Sequence, residues 1–148
     1  MPTHLILLAA GEGTRMQSDT PKVLHKVAGA PLFQHALNSA AALDGRRVIV
    51  VGHEAAAVAA AVKGFDPDIL IAEQTEQLGT AHAVVQASDA LKGAGGDTVM
   101  LFGDTPFIRP ETLARMQEMR DSGADIVFLG FEAADPGRYG RMVTDGDI

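Results

Sequence analysis

Glycines and basic side chains stand together after an apolar run near the start of the chain. Gly11 and Gly13 follow the apolar residues, Arg15 comes next, and Lys22 follows a proline. Glycines let backbone N–H groups approach a phosphate closely, and Arg and Lys side chains supply the positive charge that a triphosphate requires. Two glycines alone more often make a tight turn, but the added Arg15 and Lys22 favour a phosphate-binding loop.

Two familiar phosphate-binding loops fit this segment poorly. A dinucleotide-binding loop requires a small residue where Met16 stands, and an acid about 20 residues further on, at the end of the second strand. The next apolar run begins only near Arg47. A P-loop ends in Gly-Lys-Ser or Gly-Lys-Thr, which the segment lacks. The sequence therefore predicts a triphosphate-binding loop of another kind.

A second polar segment, Glu73 to His82, lies between a predicted strand and a predicted helix. Glutamine carries both a donor and an acceptor, so Gln74 and Gln77 could read the edge of a pyrimidine. Gly79 and Thr80 would open the helix. A polar surface loop with Thr80 as a helix cap explains the segment equally well.

Asp104 directly follows the apolar run Val99 to Phe102. At the carboxyl end of a parallel strand such a carboxylate can hold Mg²⁺ against phosphate oxygens, although aspartate at this kind of corner is more often a cap. Gly137 to Arg141 combines glycines with arginines, which suits an anionic or sugar ligand and suits an exposed turn equally well.

The apolar runs predict the elements that would position these residues. Leu5 to Ala10 is continuously apolar, which is typical of a strand covered on both faces. Similar runs follow at 48–51, 69–72, 99–102 and 126–131, and helical patterns separate them, starting near Pro31, Glu54, Thr80 and Pro110. This alternation predicts an α/β fold in one domain, with a parallel sheet, helices on both faces, and the first strand beside the fourth.

The last residues predict a strand at 141–144 and a turn at Asp145-Gly146, after which only two residues would form the returning strand. We therefore expect the domain to be truncated within a hairpin.

Composition narrows the classes of partner. A net charge of −7 without a basic run argues against nucleic acid or a membrane as partner. The absence of cysteine excludes disulfides and a cysteine nucleophile, and is typical of a cytoplasmic protein. The histidines show no metal-ligand spacing, and the serines lack a nucleophile-elbow context, so no covalent intermediate is expected.

The motifs together resemble the uridylyltransferase domain family of the bacterial bifunctional enzymes that make UDP-N-acetylglucosamine. The resemblance covers about Leu5 to Arg141. It rests on Leu8-Ala9-Ala10-Gly11, Gly13-Thr14-Arg15-Met16, Pro21-Lys22-Val23-Leu24-His25, Glu76-Gln77-Leu78-Gly79-Thr80, Gly103-Asp104 and Tyr139-Gly140-Arg141. It implies a Rossmann-like three-layer sandwich with a mostly parallel sheet, of nucleotidyltransferase type.

The resemblance also implies an activity, the transfer of UMP from UTP to N-acetylglucosamine 1-phosphate with release of pyrophosphate. It implies that Arg15 and Lys22 compensate charge in catalysis, that Asp104 binds Mg²⁺ and that Gly140 binds the sugar. It implies nucleotide binding by Leu8, Ala9, Ala10, Gly11, Gly13, Gln74, Gln77, Gly79 and Thr80. Among these, the two glutamines and Thr80 would surround the uracil.

Residues 1–148 would form the N-terminal part of that uridylyltransferase domain. The family's later acidic and Asn residues and its β-helix acetyltransferase domain would lie beyond Ile148. Three alternatives stay open: another base, another sugar, or a truncated nucleotide-binding module without turnover. The resemblance leaves open whether the chain forms a homo-oligomer.

Overall fold

The computed structural model describes residues 1–11, 18–52 and 55–145. The strands are β1 (Thr3–Ala9), β2 (Lys26–Val27), β3 (Ala30–Pro31), β4 (Arg47–Val51), β5 (Leu70–Glu73) and β6 (Asp97–Phe102). The helices are α1 (Leu32–Ser39), α2 (Ala55–Phe65), α3 (Thr80–Gln86), α4 (Ser88–Leu91) and α5 (Pro110–Asp121). The chain divides into two units, Met1–Pro110 and Glu111–Ile148, each described by itself.

A parallel sheet organises the first unit, with the strand order β5-β4-β1-β6. All seven residues of β1 are buried, the polar Thr3 and His4 as well as the apolar run Leu5 to Ala9, as expected for a strand with a neighbour on each side and helices on both faces. Along the chain, β4 pairs with β1, and β5 then pairs with β4. The chain crosses back after β5, and β6 pairs with the other edge of β1. The four predicted parallel strands and the predicted neighbourhood of the first and fourth are therefore confirmed.

Helices cover both faces of this sheet. On one face Ile6, Leu8, Val48 and Val50 pack with Ala83 of α3 in a single buried cluster. On the other side α1 contacts β1 and α2 contacts β4. The two helices also contact each other, through an edge-to-face pair of Phe33 and Phe65 rings 6.2 Å apart. The predicted three-layer α/β arrangement is confirmed in this unit.

A short segment connects the end of β1 to α1 and carries Lys22. Lys22–Leu24 forms one turn of 3-10 helix, in which the Leu24 N–H donates to the Pro21 carbonyl oxygen at 2.9 Å. Val23 is buried and anchors the turn. The antiparallel pair of β2 and β3 follows and leads into α1.

The second unit corrects two expectations. The strand predicted at 126–131 does not form, and Ile126, Phe128 and Phe131 are 69%, 75% and 70% exposed. Residues 141–144 are not a strand either, and Gly146 lies outside the described residues. A strand needs a neighbour for its backbone N–H and C=O groups, and no strand occurs among the residues described between 111 and 145. The apolar pattern indicated a tendency to pair, and nothing described in this unit provides the partner.

One helix start also differs from the expectation. Thr80 is the first residue of α3, and the capping position belongs to Gly79. In the part of the chain that the structure describes, no helix is long and apolar enough to cross a membrane.

Candidate functional site

A cavity of about 260 Å³ opens at the carboxyl ends of the strands in the first unit. It lies where the strand order reverses, between the ends of β1 and β6, which is the usual ligand position in open α/β sheets. The sequence-predicted residues that line it are Leu8, Ala9, Ala10, Gly11, Lys22, Gln74, Gln77, Gly79, Thr80 and Asp104. Three residues that were not predicted as site residues also line it, namely Val23, Ala83 and Phe102.

Not every predicted residue can be placed at this cavity. Gly13 and Arg15 lie outside the described residues, so their nucleotide-binding and catalytic roles stay predictions. Gly140 belongs to the second unit, and its sugar-binding role stays a prediction too.

A close approach between strands shapes the β1 side of the cavity. The Gly103 N–H donates to the Leu8 carbonyl oxygen at 2.8 Å, directly after β6 ends. A Cβ at Gly103 would lie 3.0 Å from that oxygen and 3.0 Å from Cγ1 of Val23. Glycine at 103 therefore lets the end of β6 lie close to β1 and to the turn that carries Lys22, and it brings Asp104 to the rim.

The cation and the carboxylate of the site form an ion pair. Lys22 Nζ lies 2.5 Å from Asp104 Oδ2, and the two side chains are 34% and 33% exposed. Lys22 and Asp104 come from motifs that are 82 residues apart in the chain. Because a partly exposed ion pair of this kind contributes at most about 1 kcal/mol to stability, a ligand with stronger charges can separate it at little cost.

The glutamine segment forms the opposite wall. Gln74 is only 2% exposed, and its backbone N–H continues the hydrogen bonding of β5 by donating to the Val51 carbonyl oxygen at 2.8 Å. Its side-chain Nε2 donates to the Gly79 carbonyl oxygen at 3.2 Å and lies 3.0 Å from Nδ1 of His82. Gln74 therefore holds the segment together from inside, whereas Gln77 is exposed.

Two glycines allow a sharp turn and a close contact in this wall that residues with a side chain would hinder. Gly79 has φ 99°, a left-handed conformation that side chains rarely adopt, and this lets the chain turn sharply into α3. Gly52, at the end of β4, has no such φ angle, but a Cβ there would lie 2.6 Å from the Ala10 carbonyl oxygen and 2.7 Å from Gln77 Nε2. Gly52 therefore lets the Gln77 side chain lie across the strand end. Gly52 was not among the site residues predicted from the sequence.

The polar groups of the cavity fit a metal ion that is held mainly by a bound small molecule and by few protein side chains. Asp104 is the single acid among the described lining residues, and no group of three or more His, Asp or Glu side chains that could hold a metal occurs in the described ranges. A hard cation such as Mg²⁺ commonly binds through one or two carboxylates plus substrate phosphates. Asp104 suits that arrangement.

Comparison with known proteins gives one family and a set of close relatives. Residues 5–141 match the family described as MobA-like NTP transferase domain. The chain is 62% identical over 148 residues to the bifunctional protein GlmU of Dinoroseobacter shibae, covering 99% of the chain and 33% of that protein. It is 60% identical over 144 residues to the bifunctional protein GlmU of Cereibacter sphaeroides, covering 97% of the chain and 32% of that protein. The chain thus spans about a third of the length of these curated relatives.

Solved structures share the fold. Rv0371c from Mycobacterium tuberculosis matches with a TM-score of 0.67 and 25% identity, over 82% of this chain and 62% of that one. Its manganese complex matches with a TM-score of 0.66 and 22% identity, over 82% and 61%. A nucleotidyl transferase from Methanothermobacter thermautotroptrophicus matches with a TM-score of 0.66 and 24% identity, over 79% and 57%.

Proposed function

The chain belongs to the family of MobA-like NTP transferase domains, and from this premise we propose that it binds UTP and transfers UMP to N-acetylglucosamine 1-phosphate. The observation that carries the proposal is the convergence of three separate motifs on one cavity. The end of β1, the glutamine segment and the Lys22–Asp104 pair all line it. The choice of UTP and of this sugar phosphate comes from the motif resemblance, and the GlmU relatives support it.

The proposed reaction is a direct substitution at the α-phosphorus of UTP. A phosphate oxygen of the sugar phosphate forms a bond to that phosphorus, and the bond to the bridging oxygen of the leaving pyrophosphate breaks. Phosphoryl transfer depends mainly on positioning and on charge stabilisation, so neither a general base nor a covalent intermediate is needed.

The residues at the cavity would divide this work. Lys22 would contact the triphosphate and offset negative charge that shifts to the leaving pyrophosphate, and Arg15 would add a second cation. The backbone from Leu8 to Gly11 would lie along the nucleotide at the end of β1. Gln74, Gln77 and Thr80 would surround the base on the opposite wall.

Asp104 would hold a divalent metal, Mg²⁺ in this proposal, together with oxygens of the triphosphate. When bound, the metal would supply positive charge against the phosphate oxygens. A structural neighbour, Rv0371c, is known in complex with manganese. Asp104 pairs with Lys22 in the structure, and a metal–triphosphate complex offers each of them a partner of opposite charge. We expect the nucleotide to separate the pair, with Asp104 turning to the metal and Lys22 to the phosphates.

A nucleotide panel tests the proposal. Binding of UTP, CTP, GTP, ATP and dTTP to the 148-residue chain would be measured by calorimetry with and without Mg²⁺, and we expect Mg²⁺-dependent preference for UTP. Pyrophosphate release from UTP and N-acetylglucosamine 1-phosphate would be measured for this chain and for one extended to the length of the relatives. A preference for another nucleotide, or release with a different sugar phosphate only, would contradict the proposed substrates.

A further inference from the structure

The amide of Gln74 is held in a single orientation by its surroundings. Its Nε2 lies 3.2 Å from the Gly79 carbonyl oxygen, which can only accept a hydrogen bond. The end of the amide that faces Gly79 must therefore be the NH₂ group. Gln74 is only 2% exposed, so reversing the amide would bury two oxygens against each other without compensation from water.

This orientation fixes the chemistry of His82. Its Nδ1 lies 3.0 Å from the same Gln74 nitrogen, so it accepts the second N–H of the amide, and the ring proton lies on Nε2. On the other side of the ring, Gln86 Nε2 lies 3.2 Å from His82 Nε2 and 3.0 Å from the His82 carbonyl oxygen. A neutral imidazole can accept a hydrogen bond on one nitrogen only, so the ring cannot accept from both glutamines. Because Gln74 is 2% exposed whereas Gln86 is partly exposed and can turn to water, we assign the acceptor to Nδ1, and the Gln86 amide then bonds to the carbonyl oxygen and not to the ring.

Both N–H groups of Gln74 are thus used within the protein. What remains for a ligand is the carbonyl oxygen Oε1, an acceptor, on a side chain that lines the cavity. Among the residues that the structure describes, none donates a hydrogen bond to this oxygen. The hydrogen-bonding capacity that Gln74 has left for a ligand in the cavity is therefore that of an acceptor, although a free glutamine offers both donor and acceptor.

We propose that His82 is a positioning residue for base selection, which holds Gln74 so that only its carbonyl oxygen is offered to the nucleotide base. The inference rests on the proposed function, because it concerns the same site. Uracil carries a hydrogen on N3 and can donate to that oxygen, whereas N3 of cytosine is an acceptor and would face it with two lone pairs opposed. A site whose buried polar group is left unpaired by the wrong ligand discriminates strongly.

The expected effect of the proposed role is seen in the ratio of the affinity for UTP to the affinity for CTP. Leaving a buried polar group unpaired costs about 1–3 kcal/mol, which corresponds to a discrimination of roughly 5- to 150-fold between UTP and CTP. Replacement of His82 by leucine removes the acceptor for one N–H of Gln74. The amide can then turn to offer that N–H to the cavity, and the ratio of UTP to CTP affinity should fall toward unity.

The test uses the 148-residue chain and calorimetric titration with UTP and with CTP in the presence of Mg²⁺. The variants are His82→Leu, which loses the acceptor, and His82→Asn, whose Oδ1 stands on Cγ as Nδ1 does and can accept from Gln74. Gln86→Ala is the matched control, because it removes the neighbour on the other side of the ring. We expect loss of discrimination in His82→Leu only, with wild-type ratios in His82→Asn and Gln86→Ala.

The outcomes separate this inference from the proposed function. A wild-type chain that binds UTP in preference to CTP, together with an unchanged ratio in a folded His82→Leu, overturns the role of His82 alone. A wild-type chain that binds neither nucleotide overturns the proposed function and this inference with it. Nitrogen NMR of the wild-type imidazole gives a readout that needs no variant. An unprotonated Nδ1 supports the inference, and a protonated Nδ1 in the neutral ring contradicts it.

Discussion

Replacing Gly52 by alanine tests the packing at the end of β4. The added Cβ would lie 2.6 Å from the Ala10 carbonyl oxygen and 3.1 Å from the Ala10 Cα. Non-bonded carbon contacts are optimal near 3.5–4.0 Å, so the backbone of either strand must shift by about half an ångström. The third neighbour, Gln77 Nε2 at 2.7 Å, is the end of a flexible side chain and can swing away.

Two opposing effects determine how much Gly52→Ala changes the free energy of unfolding. Overpacking against a backbone that cannot yield typically costs about 1–3 kcal/mol. Alanine also restricts the unfolded chain, which raises the free energy of unfolding by about 0.4–1 kcal/mol. We therefore expect Gly52→Ala to lower the free energy of unfolding by about 1–2 kcal/mol, and the Tm by roughly 3–6 °C for a chain of this size. UTP affinity should fall as well, because Gln77 is displaced from the cavity wall.

The matched control is Gly64→Ala. Gly64 lies within α2 and is exposed, and apart from the backbone of its own helix no atom of the described residues would lie within 4 Å of an added Cβ. Alanine there should raise stability by about 0.5–1 kcal/mol, since glycine is unfavourable inside a helix. Urea unfolding followed by circular dichroism measures both variants, and calorimetry measures UTP binding. If Gly52→Ala matched Gly64→Ala in stability and retained full UTP affinity, the close contact at the end of β4 would not exist as described.

Three further predictions concern charged groups. Lys22→Ala should lower kcat for pyrophosphate release by ~10³-fold, as expected for a cation aimed at developing charge. The same variant should lose less than about 1 kcal/mol of stability, because the ion pair it removes is partly exposed. A kcat within about tenfold of wild type would show that Lys22 takes no part in the reaction. Asp104→Asn should raise the Mg²⁺ concentration for half-maximal activity at least about tenfold, and an unchanged Mg²⁺ titration would contradict metal binding there. The Thr3 backbone N–H, donated at 2.9 Å, holds the pKa of Asp44 below its ordinary value of 3.8. Its stabilisation is therefore present above that value and lost as the pH falls through the lower folded-state pKa, so the stability difference between wild type and Asp44→Ala in urea unfolding should shrink on acidification.

The sheet could be predicted from the sequence because its strands are buried on both faces. Such strands read as uninterrupted apolar runs, and four of the five runs became β1, β4, β5 and β6. The fifth, at 126–131, failed because an apolar run indicates burial and cannot supply a neighbouring strand. The motif resemblance to nucleotidyltransferases is confirmed by the family match over residues 5–141.

The cavity residues could be predicted because the topology gathers them. Carboxyl ends of parallel strands meet at one edge of the sheet, so residues that follow Leu8, Glu73 and Phe102 had to come close together. Each motif was ambiguous alone. Asp104 taken alone was more often expected to be a cap, and the structure instead pairs its carboxylate with Lys22. The pairing depends on a side-chain contact between distant segments, which spacing along the chain does not encode.

The roles of Gly52 and His82 were not predicted from the sequence, for different reasons. The role of His82 depends on which end of the Gln74 amide faces Gly79, a detail that exists only once the segment is folded. Gly52 did leave a signal. A glycine directly follows the apolar runs of both strands that flank β1, Gly52 after β4 and Gly103 after β6.

These two glycines have one physical cause. A Cβ at Gly52 would lie 2.6 Å from the Ala10 carbonyl oxygen, and a Cβ at Gly103 would lie 3.0 Å from the Leu8 carbonyl oxygen. By contrast, a Cβ at Gly11, which follows β1 itself, would meet no atom of the described residues within 4 Å. Glycine is therefore required where the segments that follow β4 and β6 pass across the end of β1, whereas Gly11 lines the cavity at that end. A run of apolar residues followed by glycine in both flanking strands thus marks the central strand around whose end the cavity forms.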